Sequence, residues 1–166
     1  MGSFVPQVIT PSKASGAQVI DGSLKFDKDI SQHLKRTPGS AGNTQTWTWS
    51  GWVKYSTDPN DLGLFAGDSA SSRTQFRFKS HLLDFVVEGA THRRTAAFFR
   101  DPSAWYHIVW AFDSTQSTAS NRSRLYINGV EITDFSTNNT ITQNQTTGVN
   151  STNAQVIGAT STTPDD

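Results

Sequence analysis

The sequence predicts an all-β chain folded as two antiparallel sheets packed face to face. The segment Ala104–Asp113, AWYHIVWAFD, carries Tyr106, Ile108, Trp110 and Phe112 at a period of two, with His107, Val109 and Ala111 between them. A strand face made of three rings and an isoleucine needs a second layer to cover it. The segment Arg124–Glu131, RLYINGVE, reads as a strand, an Asn-Gly turn of type I′ and a returning strand. No segment sustains a helical period.

The other elements follow in order. Residues 1–22 read as an N-terminal docking arm, punctuated by Pro6, Pro11, Gly16 and Gly22, with a disordered terminus as the plainer alternative. SLKFD (23–27) alternates with Leu24 and Phe26 inward, and 31–37 is a weaker strand. Thr46–Tyr55, TWTWSGWVKY, is a long strand with Trp47, Trp49, Gly51, Val53 and Tyr55 on one side and Thr48, Ser50, Trp52 and Lys54 on the other. Gly51 inside it predicts a bulge or the close approach of another layer. Residues 62–66 form a short strand. Arg73–Glu88 is a hairpin with Thr74, Phe76, Phe78, Leu83, Phe85 and Val87 inward, and with Arg73, Gln75, Arg77, Lys79, Asp84 and Glu88 outward. Residues 93–99 form another strand. Residues 136–153 are rich in Thr, Asn and Gln and read as a long polar loop or a loosely ordered segment. Residues 155–159 are a last strand, and 160–166 a tail or link to a further part.

Composition excludes several classes. Charged residues are 17% of the chain and the formal net charge is zero, so the basic excess of a nucleic-acid binder is missing. There is no cysteine, hence no disulfide, thiolate nucleophile or Cys-held zinc. No apolar run approaches the roughly 20 residues of a membrane span, and Met1–Thr10 lacks the charged leader of a secretion signal.

In this order the pieces SLKFD, TWTWSGWVK, the FRF and DFVV hairpin, RDPSAWYHIVWAFD, RLYINGVEIT and QVIGA resemble the laminin-G-like members of the concanavalin A-like lectin/glucanase superfamily. The resemblance spans 23–159. It implies a jelly-roll sandwich that serves as a binding module for glycans or protein partners, sometimes with calcium. RDPSAWYHIV and the Thr/Ser/Asn-rich loop after it look most like this domain in virion proteins of tailed phages, marine ones especially. That likeness implies a non-enzymatic virion protein (a tail or head fibre or a capsid decoration protein) at the particle surface. The alternative is a soluble or cell-surface carbohydrate-binding lectin domain. Family members usually end with a further apolar strand, and after Ala159 only TSTTPDD follows, so the sandwich is expected to lack its last strand and to leave a sheet edge open. The partners expected are other virion proteins, reached through the arm and that edge, host surface glycan, and further copies of the chain.

The chemistry of individual residues points to binding. A glucanase needs two carboxylates about 5–5.5 Å apart when it retains configuration. The glutamates, Glu88 and Glu131, are distant in sequence, and the i, i+2 acidic pair Asp27 and Asp29 reads as a turn, so no catalytic site is expected. Sugar rings stack their C–H faces on aromatic planes. Trp52, among Thr48, Ser50 and Lys54, and Trp105, beside a loop, are candidate platforms; the alternative is that both are packed with their indole N–H groups satisfied. His107, on the polar face of its strand, is a candidate ligand contact or a hydrogen-bonded structural histidine. Arg77 would hold anionic sugar or, alternatively, join a cross-strand ladder. No cofactor is expected; calcium is the alternative, on the loop oxygens of Asp68, Asp101, Asp113 and Asn121.

Overall fold

The structure, a computed structural model, describes residues 22–27, 30–56, 61–68 and 73–161. The arm lies outside these residues apart from Gly22, as do Asp29 and residues 162–166 of the expected tail. The described chain forms β1 (Leu34–Arg36), β2 (Thr46–Val53), β3 (Leu62–Asp68), β4 (Arg73–Lys79), β5 (Leu82–Val87), β6 (Ala90–Thr95), β7 (Tyr106–Asp113), β8 (Ser123–Ile127), β9 (Val130–Ile132), β10 (Phe135–Asn138) and β11 (Gln155–Ile157). A short 3₁₀ turn, Ala119–Arg122, precedes β8.

A seven-stranded sheet runs β1-β11-β3-β4-β5-β6-β10, and a four-stranded sheet runs β2-β7-β8-β9. Every pairing is antiparallel. Tight turns with positive φ set the hairpins: Ser80–His81, Glu88–Gly89 and Asn128–Gly129. The first two use bulky residues in the left-handed region, which is why Glu88–Gly89 does not stand out in the sequence as a hairpin turn.

The core is the aromatic seam between the sheets. Phe76 and Phe85 meet Trp110 at ring-centre distances of 5.5 and 4.4 Å, and Trp47 stacks on Phe112 at 4.9 Å. Ile108, Leu125, Phe78 and Leu83 are buried with them. Two indole N–H groups inside this seam find hydroxyls, Trp47 on Thr147 and Trp110 on Ser123, each at 2.9 Å. Trp49 is only half-buried. Its ring folds along its own strand onto Gly51, where a Cβ would stand 3.0 Å from the indole. The close approach signalled by Gly51 is therefore its own neighbour, and the β2–β7 register runs unbroken past it.

Several expectations need correction. Residues 23–27 form no strand; Leu24 is exposed and Phe26 lies against Gly158. With no neighbouring ladder, alternation alone does not bury them. Residues 136–153 are a long loop after the end of β10, not a loosely ordered segment. Within it Ile141, Thr147 and Val149 are buried. The Arg122 guanidinium holds this segment by donating to the carbonyls of Gln116, Ser117 and Ile141 at 2.8 to 2.9 Å. The strand expected at 93–99 is Ala90–Thr95. Gln75 and Asp84 sit on the outward side of their strands, as the alternation has it, yet both are buried. Asp84 lies under two guanidiniums, with Arg94 bidentate at 2.6 and 2.7 Å and Arg77 at 3.7 Å.

β11, the strand expected at 155–159, lies between β1 and β3, and among the described residues β1 and β10 end the larger sheet. Among the described residues the long open edge belongs to the smaller sheet, along β2.

Candidate functional site

The ladder of the four-stranded sheet assembles an aromatic and polar surface on its outer face. The register pairs Trp52 with His107, Ser50 with Val109, and Thr48 with Ala111, then Val109 with Tyr126 and Ala111 with Arg124. Because side chains alternate, these residues share the face turned away from the core. Trp47, Trp110 and Leu125 point the other way.

Trp52 is 58% exposed. Its ring stacks on His107 with centres 5.0 Å apart and planes 28° from parallel. The His107 ring shares a 3.1 Å hydrogen bond with the Ser50 hydroxyl, and the His107 main chain is pinned by Asn128: its N–H donates to Asn128 Oδ1, and its carbonyl accepts from Asn128 N–H, both at 2.8 Å. The Asn-Gly turn thus fixes the start of β7, the imidazole is fixed by Ser50, and the imidazole supports one face of Trp52. The other indole face is open, and its N–H has no partner among the described residues. The packed, satisfied reading of Trp52 does not hold.

Along the same face, Thr46, Thr48, Ala111, Asp113, Asn121 and Arg124 line a shallow, open cleft. Arg124 reaches Asn121 at 2.6 Å and Glu131 at 3.9 Å, so its guanidinium is held over the cleft. The face therefore offers a flat ring at one end and donors and acceptors at the other. Sequence reasoning did not single out Tyr126 or Arg124, and it named Ser50 only as a neighbour of Trp52 and Asn128 only as a turn residue. The β2–β7 and β7–β8 registers gather them, and the bonds of Asn128 to His107 pin the second of these at one end.

Trp105 is 47% exposed in the loop before β7. It is two residues before His107. Arg77 is elsewhere, on β4 in the larger sheet, where it pairs with Asp61 at 2.9 Å and Asp84 at 3.7 Å. Trp52 and His107 are thus brought together, and Arg77 is not with them.

The loop carboxylates are separate and locally engaged. Asp68 faces Arg73 at 3.4 Å. Asp101 accepts from the Ser103 N–H and hydroxyl at 2.8 and 2.6 Å, bonds that hold its carboxyl below the usual carboxylate range. Asp113 is lowered in the same way, by Gln116 first and then Thr115. Asp101 precedes β7 and Asp113 ends it. Among the described residues no three His, Asp or Glu side chains gather as a metal-ligand set. The Asp27 main chain is bonded to Gln32: its N–H donates to Gln32 Oε1 at 3.1 Å and its carbonyl accepts from Gln32 N–H at 3.0 Å. Glu88 lies in the β5–β6 turn of one sheet and Glu131 on β9 of the other.

A family model, described as the concanavalin A-like lectin/glucanases superfamily, matches residues 27–166. With the two-sheet antiparallel sandwich, this places the chain in that superfamily, with a laminin-G-like domain. No curated protein matches the sequence.

Proposed function

We propose that this chain is a non-enzymatic adhesion module that takes a glycan on the outer face of its four-stranded sheet. The observation that carries the reading is the Trp52 ring, more than half exposed and braced from beneath by His107. An indole in that position offers an apolar plane to a sugar ring, while Ser50, Tyr126 and the Arg124 cleft supply hydrogen-bonding neighbours. Binding needs no cofactor in this reading, so a chelator leaves it unchanged. The setting is the surface of a virus particle, as a fibre or decoration protein. There many copies turn weak single-site contacts into avidity. This second part rests on the likeness of RDPSAWYHIV to tailed-phage virion proteins.

A glycan array tests the first part. Wild type is expected to retain a defined set of glycans, and Trp52→Ala to lose them with an unchanged circular dichroism spectrum. Retention of the same glycans by Trp52→Ala contradicts the site. Fixed stoichiometry in purified particles tests the setting, and occurrence only as free protein contradicts it.

A further inference from the structure

The two sheets are unequal in width, and the mismatch leaves a slot. β2 packs over β4: Trp47 and Trp49 both meet Phe76 at 5.7 Å, and Tyr55 meets Phe78 at 5.5 Å. Beyond β4 the larger sheet continues through β3, β11 and β1, an overhang of about 14 Å at the usual strand spacing. Phe76 pairs with Phe65, Phe65 with Ile157 and Ile157 with Leu34, so one apolar row runs out of the core along the inner face. At its outer end Ile157 is 43% and Leu34 48% exposed.

The edge of β2 beside this row is unpaired. Ser114 N–H donates to Gln45 carbonyl at 2.9 Å, so the odd positions of β2 turn their backbone groups toward β7. Thr46, Thr48, Ser50 and Trp52 turn theirs outward. Asn43 Oδ1 takes the Thr46 N–H at 2.9 Å, and the loop at Thr147–Asn150 closes that end by bonding Thr44 and Gly42. Thr48, Ser50 and Trp52 keep free backbone groups among the described residues. The other edges are defended: β1 and β9 have three residues each, with Lys35, Arg36 and Glu131, and β10 has four and an irregular register. β2 has eight, with no charge and no proline.

We propose that this slot receives an extended, uncharged segment of another polypeptide, with apolar side chains at alternate positions. Its backbone extends the ladder at Thr48, Ser50 and Trp52, and its apolar side chains cover Trp49, Phe65, Ile157 and Leu34. The lining chooses the occupant. Its centre, Trp49, Phe65 and Ile157, is apolar, and the charged side chain on that face, Arg36, stands exposed at the outer end beside Leu34, so an acidic or basic strand would lay its charges on the apolar centre. The overhang would collide with its own counterpart if two copies joined β2 to β2, which excludes a second sandwich edge and leaves a lone strand.

The test uses the full chain, ¹⁵N-labelled, with the peptide acetyl-Thr-Val-Thr-Val-Thr-Val-Thr-amide and a control of the same composition with its valines in one block. The alternating peptide is expected to bind saturably one to one and to slow amide exchange at Thr48, Ser50 and Trp52. Ile157→Asp, at an exposed position, should weaken binding by about tenfold or more. Four results would overturn the proposal: no saturable binding, equal binding of the blocked peptide, protection of those amides without peptide in the monomer, or a self-associated dimer that protects them.

Discussion

The outer faces of the two sheets invert each other. On the larger sheet the polar residues Gln75 and Asp84 are buried, the carboxylate under Arg94 and Arg77. On the smaller sheet the largest ring, Trp52, stands in solvent. Both sit on the outward side that a period of two assigns them. Periodicity fixes the side on which a residue lies; what covers that side depends on distant parts of the chain.

The contrast can be broken most severely at Asp84. Asp84→Ala leaves two guanidiniums facing a buried gap and should cost about 3 kcal/mol, the low end of the usual range because the Arg94 side chain is 31% exposed. Urea unfolding measures it, and a loss under about 1 kcal/mol would mean that the pair breaks even with its desolvation. At Trp52, by contrast, alanine should change stability by no more than about 0.5 kcal/mol while removing glycan binding. A large destabilisation there would show that the ring is part of the packing.

Acid sharpens the comparison next. His92, half-buried on β6 of the larger sheet, has its imidazole lowered from 6.5, first by desolvation. The folded state therefore disfavours its charged form. Its contribution is full above 6.5 and is lost as the pH falls through that value toward the lower folded one. Asp101 and Asp113, lowered from 3.8 by hydrogen bonds, lose theirs in a lower window, as the pH falls below 3.8. Denaturation midpoints across pH should show both phases, and His92→Gln should remove only the upper one.

The smallest effect belongs to Gly51→Ala. Its methyl group would crowd the Trp49 ring, which must swing toward the slot. A shift in tryptophan fluorescence with little change in midpoint is expected.

The sandwich was legible because its core strands carry their pattern locally. Phe76, Phe85, Ile108, Trp110 and Leu125 are buried where alternation puts them. Trp49, of the same pattern, is half-buried because the smaller sheet ends at β2. Sheet width is a property of long-range pairing that no single segment displays. The order of residues 136–153 was hidden for a similar reason, since its anchor is Arg122, far from its polar composition. At the site, the side on which Trp52 and His107 lie could be read from each strand. Their stacking could not, because it needs the register that pairs position 52 with 107.

The platform on the smaller sheet is tested most directly by a ¹H–¹⁵N titration of the full chain with an oligosaccharide selected on the array. The indole N–H of Trp52 and the amides of His107, Val109 and Tyr126 should shift together and saturate, while the indoles of Trp47 and Trp110 stay fixed. Shifts centred on the larger sheet, or saturable binding that leaves the Trp52 indole unmoved, would contradict the account.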